Sequence, residues 1–231
     1  MTDVPLPERG TVRHPAERFG ETRAGVPLEV FGPLARGTPL VLAATHGNES
    51  ETTVALSAAL RTVAAGELRC AAVLTLNPDG MLLGTRGNGA GVDINRNFPA
   101  SDWQDGIVRS RWSSRTSQVV ELSRGATPAS EPETRALIGL VDRLAPPWIL
   151  SVHAPIGALL EPAPSALGDA LAARTGLPRL ARVNYPTSGV LDAWATERGI
   201  TCVTLELPRI THDEAVVRYA PILADLLRDR L

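Results

Sequence analysis

Cysteine is scarce in this chain: two in 231 residues, Cys70 and Cys202. They lie far apart in apolar, strand-like runs, and no CxxC pair occurs, so two buried, reduced thiols are expected rather than a disulfide framework. No apolar run approaches the ~18 residues of a membrane-spanning helix, and residues 1–20 hold no apolar core of a secretory signal, so a cytoplasmic protein is expected. A basic field is also missing. Lysine plus arginine number 23 against 25 acidic residues, for a formal net charge of -2, which gives no reason to expect nucleic acid or an anionic membrane as partner. Internal repeats, low-complexity tracts and linkers are absent. Histidine is limited to four positions, His14, His46, His153 and His212.

What is present is ordinary for a globular protein, with 44% hydrophobic and 21% charged residues. The length suits one α/β domain better than two small ones. Residues 1–24 are polar, carry Pro5, Pro7 and Pro15, and read as a surface arm ahead of a domain over 25–231. Strands are expected over 27–31, 39–45, 70–76, 148–152, 180–183 and 200–205. The runs at 39–45 and 70–76 are nearly continuously apolar, as in strands buried on both faces. Helices are expected over 50–65, about 130–144, 165–174, 189–198 and 211–229. Ser130 reads as a cap with Glu133 at N3, and Thr211-His212-Asp213-Glu214 as a second capping box. Asn77-Pro78-Asp79-Gly80 has turn chemistry. The glycine-broken stretch 81–129 reads as a long functional or mobile loop. This alternation predicts a single α/β/α sandwich on a mainly parallel, mixed central sheet.

In such sheets ligands gather beyond the carboxyl ends of the strands. His46, Glu49, His153 and Glu206 all fall at or just after predicted strand ends. His14, in the polar arm, and His212, in a helix cap, read as solvated. A lone buried histidine is usually a satisfied core residue, and a lone HxxE is a weak signal. Two such histidines with Glu49 make a His₂Glu set, the donor count of a catalytic zinc that keeps one position open.

Larger motifs strengthen this reading. Thr45-His46-Gly47-Asn48-Glu49 is followed by Asn77-Pro78-Asp79-Gly80, then by Gly91-Val92-Asp93-Ile94-Asn95-Arg96-Asn97-Phe98-Pro99. Ser130-Glu131-Pro132-Glu133, Ser151-Val152-His153-Ala154-Pro155 and Thr204-Leu205-Glu206-Leu207-Pro208 complete the series. Together these landmarks, spanning 45–214, resemble the zinc carboxypeptidase family, and within it the murein peptide amidases.

The resemblance implies one Zn²⁺ per chain, held by His46, Glu49 and His153. Asp93 matches the family aspartate that accepts the ring proton of the first histidine. On the residues alone it also reads as a turn residue. Glu206 matches the general base that activates a zinc-bound water, and Asn95 with Arg96 the pair that holds a substrate's free α-carboxylate. Tyr185 matches a mobile tyrosine that caps that carboxylate or the scissile amide, with a plain loop or core tyrosine as the other reading. Arg86 either stabilises the oxyanion or binds another part of the substrate.

The substrate implied is a small cell-wall peptide with a free α-carboxylate, cleaved between γ-D-glutamate and diaminopimelate during peptidoglycan recycling. Arg109, Arg111, Arg115 and Arg124 are candidates for the substrate's other carboxylates, or a solvated loop. Three alternatives stay open. They are an N-acyl amino acid deacylase of the succinylglutamate desuccinylase or aspartoacylase type, a general zinc carboxypeptidase, and a metal-free scaffold with a decayed site.

Overall fold

The computed structural model describes residues 10–111 and 118–231. Apolar runs without polar alternation need cover on both faces, and they form the middle of the sheet. These are β3 (Leu40–Ala43), β4 (Ala71–Val73), β7 (Trp148–His153) and β10 (Thr201–Pro208), nearly all buried. Around them lie β1 (Ala16–Glu21), β2 (Pro27–Phe31), β8 (Ile156–Leu160) and β9 (Arg179–Leu180). Among the described residues these eight strands make one mixed sheet, in the order β1-β2-β4-β3-β7-β10-β8-β9. The four central strands run parallel, whereas β1, β2 and β8 pair antiparallel with neighbours.

Side-chain alternation divides the core in two. Val41, Leu150, Val203 and Leu205 pack on one face with α1 (Ser50–Thr62) and α6 (His212–Leu227). Leu40, Leu42, Ile149 and Cys202 pack on the other with α3 (Pro132–Leu144) and α5 (Leu191–Glu197). This is the expected α/β/α sandwich. Both cysteines are buried and free, and burial pushes the Cys70 thiol up to about 12.

The chain leaves β3 towards β4 on one side and reaches β7 on the other. The sheet therefore reverses its winding between β3 and β7, which opens a crevice at their carboxyl ends.

Several local expectations are corrected. Ala16–Glu21, expected in the arm, is the edge strand β1 of the same sheet. An edge strand pairs on one side only and needs little apolar pattern, which is why it read as an arm. His14 is not simply solvated, since its Nε2 lies 3.0 Å from the Val63 carbonyl. The Asn77 turn opens a short helix, α2 (Pro78–Leu83), in which Asn77 accepts from Gly80 N and Pro78 takes the first-turn position it tolerates. The cap of α3 is Glu131 and not Ser130. Ser130 Oγ instead meets Asn97 Nδ2 and donates to Glu131. Within the long loop, β5 (Ile107–Arg111) and β6 (Val119–Ser123) form a separate antiparallel hairpin. The capping box at Thr211 and Glu214, and α4 (Ala166–Thr175) capped by Ser165, form as expected.

Candidate active site

His46 and Glu49 leave the end of β3 through a constrained bend. Ala44 is buried with φ at 47°, and its carbonyl accepts from Asn77 N. Gly47 packs so tightly on α2 that a Cβ there would lie 2.0 Å from the Gly80 carbonyl carbon. Asn77 Nδ2 reaches the carbonyls of Thr45 and Arg86, both at 3.3 Å, so the bend, α2 and the Arg86 loop are tied together. His153 ends β7, and Glu206 pairs with it in the parallel register of β10. Residues paired in this register face the same side of the sheet. Both therefore turn their side chains to one rim.

His46, Glu49 and His153 converge, all three buried, with ligand-type atoms within 4.8 Å of one another. His46 Nδ1 is 2.7 Å from Glu49 Oε1. His153 Nδ1 is 3.1 Å from His46 Nδ1 and 3.0 Å from Glu49 Oε2. Two ring nitrogens so close share at most one proton, and the carboxylate beside them only accepts. A cation satisfies all three lone pairs at once. Tetrahedral ligand atoms at ~2.1 Å from zinc are about 3.4 Å apart, so this set fits a zinc-sized ion after small outward shifts.

Asp93 lies behind this set with no solvent exposure. Its Oδ1 is 3.2 Å from His46 Nε2 and accepts from Asn95 N, while Oδ2 accepts from Arg86 Nε at 2.9 Å. Burial acts to raise the Asp93 carboxyl, but Arg86 and then His46 outweigh it and hold it well below the usual range. Arg86 also approaches Glu49, at 3.7 Å.

Two glutamates at this rim are pushed in opposite directions. For Glu49 the cost of burial is overcome by His46 and His153, and the carboxyl is lowered. For Glu206 burial dominates, Glu49 adds to it and His153 opposes it, and the carboxyl is raised. Glu206 Oε2 accepts from Ile156 N at 3.4 Å.

The short 3₁₀ turn after Asp93 presents Asn95 and Arg96. Asn95 Oδ1 accepts from Leu191 N, which leaves its Nδ2 to donate into the cleft. Arg96 is buried and donates to the Asn95 carbonyl. Asn97 anchors the turn, donating to the carbonyls of Arg124 and Thr127 and accepting from Glu131 N.

A cleft of about 130 Å³ runs over these groups. His46, Glu49, Arg86, Asn95, Arg96 and Glu206 line it, and so does Tyr185, half exposed. Every single-residue candidate of the sequence reading is thus in this cleft or packed directly behind it. The arginine loop is different. Arg109 pairs with Glu121 across the β5–β6 hairpin, and Arg124 donates to Ser188 and the Gln104 carbonyl. Neither lines the cleft. The side chain of Arg111, and Arg115 altogether, lie outside the described residues. Arg182 and Asp192, which do line the cleft, were not among the candidates of the sequence reading. Nothing in their neighbourhoods marks them out, because tertiary folding alone brings them there.

Comparison with known proteins agrees with this geometry. A family profile described as zinc carboxypeptidase matches residues 62–162. Murein peptide amidase A of Escherichia coli (strain K12) is 42% identical over 227 residues, covering 97% of this chain and 94% of that protein. The protein of that name from Vibrio campbellii is 35% identical, covering 97% and 92%. The crystal structure of the murein-tripeptide amidase from Escherichia coli O157 superposes with a TM-score of 0.90 at 41% identity, covering 97% of this chain and 96% of that one. Carboxypeptidase A from Helicoverpa armigera shares the fold at a TM-score of 0.70 and 18% identity, covering 94% and 68%. With this likeness running over nearly the full length of both partners, the chain belongs to the zinc carboxypeptidase family, beside the murein peptide amidases.

Proposed function

We propose that this enzyme is a zinc-dependent amidase that hydrolyses the bond between γ-D-glutamate and diaminopimelate in small cell-wall peptides. One observation carries the reading. A three-donor metal set, a neighbouring carboxylate outside that set, and a buried arginine with an asparagine all open on one cleft. The near full-length likeness to murein peptide amidases supports the substrate class.

In this reading His46, Glu49 and His153 hold the zinc, which when bound supplies Lewis acidity and lowers the pKa of water towards ~7. Asp93 orients His46 through Nε2, which keeps the Nδ1 lone pair turned to the donor set. Glu206 accepts the proton of the attacking water and returns a proton to the departing amine. Its raised pKa suits a group that must both take and give. Arg86, tethered by Asp93, offers its other N–H groups to the oxygen of the scissile amide. Asn95 and Arg96 hold the free α-carboxylate of the leaving residue, where a desolvated guanidinium binds most strongly. Tyr185 closes over the bound substrate from the rim. We extend the proposal to the recycling of cell-wall peptides in the cytoplasm, as the family resemblance implies.

The test is a side-by-side assay of zinc-loaded protein on L-alanyl-γ-D-glutamyl-diaminopimelate, N-succinylglutamate and an ordinary peptide with a free C-terminus. Preferential cleavage of the first is expected. Preference for either of the others, or no turnover of any, overturns the assignment.

A further inference from the structure

The turn that presents Asn95 and Arg96 is braced from outside the cleft. Trp103 Nε1 donates to the backbone carbonyl of Arg96 at 3.0 Å, and the preceding residue, Asp102, accepts from Gly189 N at 3.0 Å. The Gly189 carbonyl accepts from Phe98 N at 2.9 Å, and Leu191 N donates to Asn95 Oδ1. Gly189 is thus wedged between the Trp103 ring and the Arg96 carbonyl. A Cβ there would lie 2.5 Å from Trp103 Cδ1 and 2.7 Å from the Arg96 oxygen, and its φ of 63° is one that glycine adopts without strain. Next to it the buried Ser188 accepts from Arg124 Nη1, which also donates to the Gln104 carbonyl at 3.3 Å. Asp102, Trp103 and Arg124 all lie outside the lining of the cleft.

The same brace is the fixed end of the segment that carries Tyr185. Residues 181–187 are exposed or half-buried, and Ser188 is the first buried residue after them. Tyr185 is three residues from that anchor, a reach of ~10 Å of extended chain. Guanidinium and amide donors grip a carboxylate well only when they are held in place, and a shift of about 1 Å loses much of the gain. We propose that Asp102 and Trp103 are positioning residues for the substrate's α-carboxylate. Trp103 fixes Arg96 through its carbonyl. Asp102 fixes Gly189, and with it the Leu191 N–H that orients Asn95. Together they tie the Tyr185 segment to the same turn. The inference rests on the amidase reading, in which Asn95 and Arg96 hold that carboxylate. It goes beyond that reading by naming what sets their geometry from outside the cleft.

The test uses zinc-loaded enzyme on L-alanyl-γ-D-glutamyl-diaminopimelate and on the same peptide with a carboxamide in place of the α-carboxylate beside the scissile bond. Trp103→Phe keeps the aromatic bulk and removes the donor. This variant and Asp102→Ala should each lower kcat/KM on the carboxylate about 5- to 10-fold, chiefly through KM, with little change on the carboxamide. Asp102→Asn still offers Gly189 N an acceptor and should recover most of the loss. Beside Arg96→Ala, Trp103→Phe should add almost nothing, because the group it positions is gone. Equal losses on both substrates, no loss on either, or an undiminished effect of Trp103→Phe beside Arg96→Ala overturn the positioning role and leave the amidase reading intact. A wild type that cuts both peptides equally well overturns the carboxylate clamp and the positioning role with it. Calorimetric binding of free meso-diaminopimelate covers the case without turnover. If no peptide is cleaved but the amino acid binds, and Trp103→Phe and Asp102→Ala each weaken it about 5- to 10-fold, the positioning role stands and the amidase reading fails. If no peptide is cleaved and the amino acid fails to bind, or binds the variants as it binds the wild type, both fail.

Discussion

Replacing Asp93 by asparagine removes one charge; with the new Oδ1 still accepting from Asn95 N, the amide Nδ2 takes the place of Oδ2 and Arg86 Nε loses its acceptor. In the wild type, Asp93 Oδ2 and Arg86 Nε are 2.9 Å apart. At an effective dielectric constant of ~20, unit charges at that distance attract by about 6 kcal/mol. Much of this offsets the cost of burying both groups. Removing one partner of a buried pair costs about 3–5 kcal/mol, since the other charge is left uncompensated. Arg86 keeps 20% side-chain exposure, so the lower end, about 3 kcal/mol, is the appropriate figure. In a domain of this size that lowers Tm by about 6–12 °C. The second effect falls on the metal. His46 Nε2 then faces a neutral amide oxygen in place of a carboxylate, the ring is a weaker ligand, and zinc affinity should fall about 10- to 100-fold. Chelator competition at fixed pH measures the affinity, and thermal unfolding of metal-free protein measures the first effect. A lowered Tm with zinc affinity unchanged would show that Asp93 only anchors Arg86, and would refute its role in orienting His46.

Other substitutions probe the remaining parts. Glu206→Gln should retain one zinc per chain by metal analysis and lose about 10²- to 10⁴-fold in kcat; undiminished turnover would rule out Glu206 as the base. Gly47→Ala drives a methyl group into the Gly80 backbone, so it should cost about 3 kcal/mol or more and weaken zinc binding, since His46 and Glu49 flank the bend; a melting curve matching wild type would mean that the bend yields freely. Glu133→Gln tests a pH effect away from the metal. Burial, then Glu131 and Asp79, raise this carboxyl, one of whose oxygens has no partner. A carboxyl raised in the folded state binds its proton more tightly there than in the unfolded chain. Wild-type stability therefore falls as pH rises from the unfolded value through the higher folded one, and glutamine should raise Tm at neutral pH while converging with wild type in acid. A Tm difference independent of pH would contradict the shift.

The parts legible in the sequence are those where local chemistry and tertiary role coincide. Val41 and Leu150 announce buried strands because a two-face burial leaves no polar position. Asp93 is recognisable because one carboxylate caps a turn and also serves the histidine, so the motif around it is dense with constraint. Glu133 shows the limit of such reasoning. In the sequence it fits a capping box with Ser130, yet in the fold Ser130 is drawn to Asn97, and Glu133 Oε2 instead accepts from Asn88. Strand β8 was missed because Pro155 and Gly157 obscure its start, although its later residues are fully buried. The arginines of the 104–125 loop look available for a substrate, whereas Arg109 is claimed by Glu121, directly opposite on a hairpin whose pairing the sequence pattern does not display.

The two glutamates at the metal rim show how one fold separates roles between identical side chains. Glu49 follows a parallel strand in a bend that faces both histidines, so its charge is favoured despite burial and it remains an acceptor. Glu206 projects from β10 between β7 and the antiparallel β8, where burial, helped by the negative charge of Glu49, outweighs the histidines and the Ile156 N–H, so its proton is held longer. Carboxyl groups whose surroundings push their pKa values apart are the ones suited to distinct duties, one as a permanent ligand and one as a proton carrier. Because β8 runs antiparallel to β10, it begins at this rim and brings the Ile156 N–H to the Glu206 carboxylate, a pull towards the ionised form that burial and Glu49 outweigh.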